Sequence, residues 1–136
     1  RLRERRPGLA VGADLIAGFP TESEEHHRSN LSIISELRIV HGHIFPYSPR
    51  DNTPAVRMPQ LDRATVKARA AELRALTATT QTEWLASLVD KPLSVLAERD
   101  GSGYAENFAR VALPQGMAAG TIATLTPRAI EGRLLV

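Results

Sequence analysis

Residues suited to ligand binding cluster at the end of a short apolar segment, residues 12–20. The segment runs into a turn of four residues, Gly18, Phe19, Pro20 and Thr21. A predicted helix begins here, and the free backbone amides of a helix start can hold an adenine edge, a carboxylate or a phosphate. The alternative is an ordinary strand-to-helix turn. Asp14 lies within the apolar segment, and a buried carboxylate needs a partner. We therefore expect Asp14 to be hydrogen-bonded within the protein or to face a ligand.

A second apolar segment, residues 39–49, also ends in polar groups, which are Tyr47, Ser48 and Arg50. Arg50 could pair with a carboxylate or a phosphate, or could simply close the end of the fold. His41 and His43 alternate along this segment and should project from one face. Two histidines could bind a metal ion, but a site normally takes three or four ligands and no third lies nearby. We expect structural histidines and no metal site.

The C-terminal third contains a cluster of aromatic, amide and basic residues, Tyr104, Asn107, Phe108 and Arg110, with Arg128 further along. Stacking surface, amide and positive charge together suit single-stranded RNA. The alternative is the core of a small barrel with ordinary surface charge. Alternation along the segment places some of these side chains on opposite sides, so part of the set should be core.

The local patterns predict a strand, a helix and a second strand over residues 12–49. Pro20 stops the first strand. Thr21 and Glu24 then match a capping box, and helical spacing of apolar residues continues to about Leu37. A strand, a capped helix and a strand at this spacing predict a right-handed βαβ unit with parallel strands.

The rest of the chain predicts a loop, a long helix and a β module. Residues 48–60 contain three prolines and no periodicity, and Asp62 can cap the helix that follows. Residues 61–90 lack Gly and Pro until the helix ends at Lys91-Pro92, and such a helix is long enough to connect two domains. From Leu93 the period changes to two, and four short strand candidates predict a small antiparallel barrel.

Composition limits the classes of protein that remain. The 136 residues allow one domain or two small ones, and the absence of cysteine excludes disulfides and thiolate metal or cluster sites within this chain. A net charge of +2 is too small to indicate a nucleic-acid partner by itself. No segment approaches the roughly 20 apolar residues of a membrane span. The first residue is Arg rather than Met, which suggests a piece of a longer protein.

Two motifs in order, GADLIAGFPTESEE (12–25) and HIFPYSPRDNTPA (43–55), resemble the C-terminal part of a radical S-adenosylmethionine methylthiotransferase. The long helix and the C-terminal β module follow in the same order as in that family, whose last domain is the small RNA-binding TRAM barrel. Thr21 replaces the family's usual Gly and His27 its usual Phe. Asp51-Asn52 stands for Pro-Gly, where Asn can still adopt the left-handed conformation.

The resemblance implies an α/β fold followed by a small all-β domain: the end of a radical S-adenosylmethionine (partial TIM-like) barrel over 1–60, a connecting helix over 61–90, and an antiparallel TRAM barrel over 91–136. It implies a cytoplasmic enzyme that uses S-adenosylmethionine and two 4Fe-4S clusters. The cluster cysteines are absent from this chain. The residues expected to face the cofactor are Asp14, Gly18, Phe19, Pro20, Tyr47, Ser48 and Arg50, and those expected to contact tRNA are Tyr104, Asn107, Phe108, Arg110 and Arg128.

Within the family, residues 43–50 most resemble the branch that adds a methylthio group to C2 of N6-threonylcarbamoyladenosine at position 37 of tRNA. The other branches act on isopentenyladenosine or on a ribosomal protein. We expect the present chain alone to be inactive, because it cannot ligate a cluster through cysteine. The alternatives are a non-catalytic RNA-binding module and a structural protein that binds neither RNA nor nucleotide.

Overall fold

The computed structural model describes residues 2–136, which form two compact units. The helix-flanked unit comprises residues 11–81, and the sheet unit comprises residues 2–10 with 82–136. The sheet unit begins with a short helix, α1 (Leu2–Arg5). Among the described residues, no helix combines the length and the apolar character that crossing a membrane requires. The predicted domain boundaries after residues 60 and 90 stay predictions.

The helix-flanked unit contains the predicted βαβ arrangement. Strand β1 (Val11–Ala17), helix α2 (Glu24–Leu37) and strand β2 (Ile39–Pro46) follow one another, and β1 pairs with β2 in parallel. Helix α3 (Arg63–Ala86) begins in this unit and ends in the sheet unit. The prediction of a parallel strand pair around a helix is confirmed.

The start of α2 differs from the prediction. Ser23, rather than Thr21, is the N-cap: its hydroxyl accepts from the His26 amide at 3.1 Å, and His26 Nδ1 accepts from the Ser23 amide at 3.3 Å. Thr21 has φ +67°, a left-handed conformation outside the helix. The predicted Thr21–Glu24 capping box is therefore wrong, because the turn that follows β1 extends two residues further than Pro20 indicated.

One face of the two-stranded sheet packs on the helices. Its core consists of Ala17, Ile34, Ile39, Ile44, Ala70 and Leu73. Gly42 allows the closest approach, since a Cβ there would lie 2.6 Å from Thr77 Cγ2 of α3. Among the polar core residues, His27 of α2 is buried and its Nε2 lies 2.9 Å from Glu72 Oε2 of α3.

The opposite face of this sheet is open to solvent within the unit. Asp14 pairs in register with His43, and Ile16 pairs with Phe45. All four side chains are exposed, with Ile16 at 54% and Phe45 at 53%. The expectation that Asp14 is buried is wrong for this structure: period-two alternation places Asp14 opposite the core-facing residues of β1.

The loop between β2 and α3 matches its prediction. It contains one turn of 3-10 helix, Pro54–Arg57. Asn52 adopts φ +66°, the left-handed conformation expected of this asparagine. Asp62 Oδ1 accepts from the Thr65 amide at 2.9 Å, which confirms Asp62 as the cap of α3. The side-chain and backbone hydrogen bonds from Thr65 lower the pKa of Asp62.

The sheet unit contains six short strands: β3 (Leu93–Ala97), β4 (Ser102–Ala105), β5 (Arg110–Ala112), β6 (Ile122–Leu125), β7 (Ile130–Glu131) and β8 (Leu134–Leu135). Their order in the sheet is β6-β3-β4-β5-β8-β7. The β5–β8 pair is parallel and the other pairs are antiparallel, and among the described residues β6 and β7 do not pair to close the sheet. The all-antiparallel, closed barrel predicted from the sequence is not what this structure shows.

The sheet unit has its own core, and α3 contributes to it. Leu85 and Leu88, at and just beyond the end of α3, pack with Val95, Val111 and Leu135 of the sheet. One of the four strand candidates read from the sequence covers residues 104–113. In the structure a turn at residues 106–109 interrupts it, so that β4 and β5 form a hairpin. The turn places Phe108 outside both strands, with φ +63°.

Candidate functional site

The turn after β1 is fixed by a close approach of α3. Gly18 is buried and has φ +74°, a conformation that glycine adopts without strain. A Cβ at Gly18 would lie 2.7 Å from Val66 Cγ2, so a side chain at this position would collide with the first part of α3. The requirement for glycine therefore comes both from the backbone conformation and from helix packing.

Backbone hydrogen bonds join the turn to the end of β2. The Tyr47 amide donates to the Ala17 carbonyl at 2.8 Å, one residue before Gly18. The rings of Phe19 and Tyr47 pack edge to face, with centroids 5.4 Å apart and planes at 74°. Parallel pairing thus brings the two sequence motifs side by side at the carboxyl ends of β1 and β2.

The aromatic pair offers both a surface and a polar group. Phe19 is 42% exposed, whereas Pro20 beside it is buried. The Tyr47 hydroxyl is buried and has no hydrogen-bond partner among the described residues. A buried hydroxyl without a partner costs free energy, which a ligand or an ordered water can recover. The arrangement can therefore receive a flat ring against Phe19 and a hydrogen-bonding group at Tyr47.

The remaining residues predicted to face the cofactor, Asp14, Ser48 and Arg50, are exposed and lie outside this turn. Ser48 and Arg50 are exposed beyond the end of β2, and the Arg50 carbonyl accepts from the Thr53 hydroxyl at 2.8 Å. Asp14 lies on the exposed sheet face, two residues before Ile16 in β1. The structure brings Gly18, Phe19, Pro20 and Tyr47 together, whereas Asp14 lies further back in β1 and Arg50 lies in the loop beyond β2, both exposed.

Sequence reasoning missed the groups that hold the turn. Glu22 Oε2 accepts from the Gly18 amide at 3.1 Å, and Glu22 Oε1 accepts from Arg69 Nη1 at 2.8 Å. Glu22 was visible as an acidic residue near a helix start. No local signal pointed to Arg69, which lies 47 positions further along the chain in α3.

A second candidate surface lies on one face of the sheet unit. The strand register aligns Ile122, Leu96, Tyr104 and Arg110 directly across β6, β3, β4 and β5. Ile122 is 70% exposed, Leu96 48% and Tyr104 39%. We call these four residues the exposed row. Three adjacent exposed apolar side chains, one of them aromatic, are typical of a binding surface.

Phe108 lies in the turn between β4 and β5 and is 71% exposed. A bulky aromatic residue with a positive φ is strained, and exposure leaves little burial to offset the strain. Asn107 stabilises this turn, since its Oδ1 accepts from the Ala109 amide at 3.1 Å. Asn107 thus has a structural role here, and Phe108 has the features of a residue kept for binding.

Both predicted RNA-binding arginines are paired with acidic side chains. Arg110 Nη2 pairs with Asp100 Oδ2, and Arg110 Nε donates to the Ser102 hydroxyl at 2.9 Å. Arg128 Nη1 lies 2.8 Å from Asp90 Oδ1. Hydrogen bonds from Ser102, the nearby Arg110 charge and its hydrogen bond lower the pKa of Asp100. These arginines therefore present less net positive charge to a phosphate than the sequence indicated.

The described residues contain no group of three His, Asp or Glu side chains placed to hold a metal ion. Of the two kinds of cofactor that the resemblance implies, this chain fits one and not the other. Phe19 and the unpartnered Tyr47 hydroxyl fit an adenosine-like group, whereas an iron–sulfur cluster does not fit this chain, because it has no cysteine to ligate one.

Comparisons with known proteins identify relatives along most of the chain. A threonylcarbamoyladenosine tRNA methylthiotransferase of Rickettsia prowazekii, MtaB, is 38% identical over 122 residues, which cover 90% of this chain and 29% of the relative. The MtaB of Bacillus subtilis is 33% identical over 82% of this chain and 27% of the relative. A tRNA-2-methylthio-N(6)-dimethylallyladenosine synthase of Paracoccus denitrificans is 36% identical over 74% of this chain and 23% of the relative.

No family model matches the chain. The chain spans less than a third of the length of each of these relatives.

Proposed function

We propose that this chain, which is homologous to tRNA methylthiotransferases, is the C-terminal part of such an enzyme. In this proposal the complete enzyme adds a methylthio group to C2 of N6-threonylcarbamoyladenosine at position 37 of tRNA, in the cytoplasm. The observation that carries the proposal is the 38% identity to a threonylcarbamoyladenosine tRNA methylthiotransferase over 90% of the chain.

The choice of modified adenosine rests on sequence. The relative named for threonylcarbamoyladenosine is 38% identical over 90% of the chain, against 36% over 74% and 33% over 99% for two dimethylallyladenosine relatives. Identity therefore supports this choice, whereas the share of the chain that is covered does not separate the branches. The resemblance of residues 43–50 to the threonylcarbamoyladenosine branch supports the same choice, since His43 precedes the aromatic residue and Arg50 ends the motif.

The helix-flanked unit forms the last part of the radical S-adenosylmethionine barrel and supplies one side of the cofactor site. The cofactor and the clusters would provide the radical chemistry, and the residues of this chain would bind and orient. Phe19 offers its ring to the adenine, and the Gly18–Pro20 backbone sets the distance of approach. Tyr47 offers its hydroxyl as a hydrogen-bonding group. Asp14, Ser48 and Arg50 bind polar groups of S-adenosylmethionine that lie further from the adenine.

The sheet unit is the TRAM-like module and contacts tRNA. Tyr104 and Phe108 provide exposed rings on which unpaired bases can stack. Arg110 and Arg128 contact the RNA through hydrogen bonds. Each is already paired with an acidic residue, so the local net positive charge that each presents to the RNA is reduced. Asn107 supports the turn that presents Phe108.

The chain alone has no methylthiotransferase activity in this proposal, because cysteine ligands for the clusters must come from elsewhere. Anaerobic reconstitution of the 136-residue chain with iron and sulfide should therefore yield no stoichiometric cluster. A stoichiometric cluster in that experiment would contradict the assignment of the clusters to a missing part of the enzyme.

Mass spectrometry of tRNA nucleosides tests the function directly. Cells that lack the complete gene should accumulate N6-threonylcarbamoyladenosine without the 2-methylthio group, and a plasmid copy of the gene should restore it. Loss of the methylthio group from isopentenyladenosine instead would assign the chain to the other tRNA branch. Unchanged nucleosides, with tRNA binding retained by the chain, would favour a non-catalytic RNA-binding module.

A further inference from the structure

The turn after β1 is connected to α3 through a buried ion pair. Arg69 Nη1 donates to both the Glu22 main-chain oxygen and Glu22 Oε1, each at 2.8 Å. Its Nη2 donates to Glu24 Oε2 at 3.3 Å. The side chains of Arg69 and Glu22 are only 10% and 5% exposed.

Glu22 passes this connection on to the turn itself. Its second carboxylate oxygen, Oε2, accepts from the Gly18 amide at 3.1 Å. Its own amide donates to the Phe19 carbonyl at 2.9 Å. Arg69 of α3 thus contacts one residue, Glu22, whose carboxylate holds the Gly18 amide and whose main-chain amide holds the Phe19 carbonyl.

The turn needs such an external restraint because its conformation is strained. Thr21 has φ +67°, and a β-branched residue in the left-handed region persists only where its surroundings fix it. A buried ion pair is often no more stabilising than an apolar pair of similar volume. What the pair provides here is a defined direction for the Gly18 amide and the Phe19 carbonyl.

We propose that Arg69 is a positioning residue, which acts through Glu22 to hold the Gly18–Pro20 turn in the geometry that receives the adenine part of S-adenosylmethionine. This inference rests on the proposed function of the helix-flanked unit. Arg69 does not touch the ligand in this proposal. Its Nη1 and Nη2 groups donate three hydrogen bonds, two to Glu22 and one to Glu24.

Amide hydrogen exchange in the 136-residue chain tests the positioning step without any ligand. Arg69→Met should speed exchange at Gly18 by about 10-fold relative to Ile34, a buried residue inside α2, because a charged hydrogen bond restrains the turn. Arg69→Lys should have a smaller effect, since it keeps the charge. Lys67→Met, on an exposed position of α3, should change neither amide.

The ratio of the two exchange rates separates local positioning from general destabilisation. A merely structural ion pair would raise the exchange rates of Gly18 and Ile34 together. Equal acceleration of both amides in Arg69→Met would therefore overturn the proposal. If Arg69→Met folds poorly, Glu22→Gln serves in its place, because it keeps an oxygen for Gly18 but weakens the contact with Arg69.

Equilibrium binding of S-adenosylmethionine to the complete gene product tests the functional step. Arg69→Met should weaken binding by about 10-fold, Arg69→Lys by less, and Lys67→Met not at all. Unchanged affinity in Arg69→Met would refute the role of Arg69. Failure of the unsubstituted protein to bind S-adenosylmethionine would instead refute the proposed function and this inference with it, and that outcome is recognisable before any variant is made.

Discussion

Phe108 allows binding and folding to be separated by one substitution. The residue is 71% exposed and has φ +63°, in the turn between β4 and β5. Phe108→Asn removes the ring and introduces the side chain that best tolerates the left-handed region after glycine. If the ring is kept for stacking on RNA bases, this change should weaken tRNA binding and leave the fold almost unaffected.

The magnitude follows from exposure and backbone conformation. Less than a third of Phe108 is buried, so removal of its ring should cost about 0.5–1 kcal/mol of burial, against about 1.5–3 kcal/mol for a fully buried Phe. Relief of the left-handed strain should return an amount of about 0.5–1 kcal/mol. The two contributions nearly cancel. Loss of one stacked base should cost about 1–3 kcal/mol of binding, which is roughly 5- to 150-fold in affinity.

Urea unfolding by circular dichroism and filter binding of unmodified tRNA at two salt concentrations measure the two effects. We expect a stability change within about 0.5 kcal/mol and the stated loss of affinity at both salt concentrations, because stacking depends less on salt than phosphate contacts do. Destabilisation by more than about 2 kcal/mol would show that the ring supports the fold. Unchanged affinity with unchanged stability would refute the stacking role.

Three further substitutions or titrations test other parts of the structure. Thr21→Gly should stabilise the chain by about 1 kcal/mol in urea unfolding, because Thr21 has φ +67°, whereas Thr53→Gly, at φ −100°, should destabilise it. His27→Phe removes a buried Nδ1 that has no partner among the described residues. It also removes the contact with Glu72, but that carboxylate is 58% exposed and can bind water instead. The substitution should therefore stabilise the chain by about 1 kcal/mol, and a lower melting temperature would contradict this. The pKa of Asp100 is lowered mainly by Ser102, so its stabilising contribution is complete above the unfolded value and is lost as pH falls through the lowered pKa. A carboxyl NMR titration should show this pKa rising toward its ordinary value in Ser102→Ala, and an unchanged titration would refute the assigned cause.

The helix-flanked unit was predictable where local signals act. β1 ends just before the predicted turn, Asp62 caps α3, and Asn52 adopts the left-handed conformation expected of it. Each of these features depends on a residue's own backbone preferences and on neighbours within a few positions. The predicted capping box of α2 was wrong, because Thr21 lies in the left-handed region of the turn and Ser23 caps the helix two residues later.

Features that depend on distant residues could not be predicted. The pairing of Arg128 with Asp90 spans 38 positions, and the contact of Arg69 with Glu22 spans 47. A parallel β5–β8 pair also leaves no local trace, since two residues of β8 carry too short a pattern to indicate strand direction. Only the register of the assembled sheet reveals that Tyr104 belongs to an exposed row.

A structure of the complete gene product with bound S-adenosylmethionine would test the central claim most directly. The account predicts adenine within van der Waals contact of Phe19, with a polar group of the ligand or an ordered water at the Tyr47 hydroxyl. Adenosine bound away from the ends of β1 and β2, with the turn of Gly18 and Pro20 covered by other parts of the protein, would contradict it.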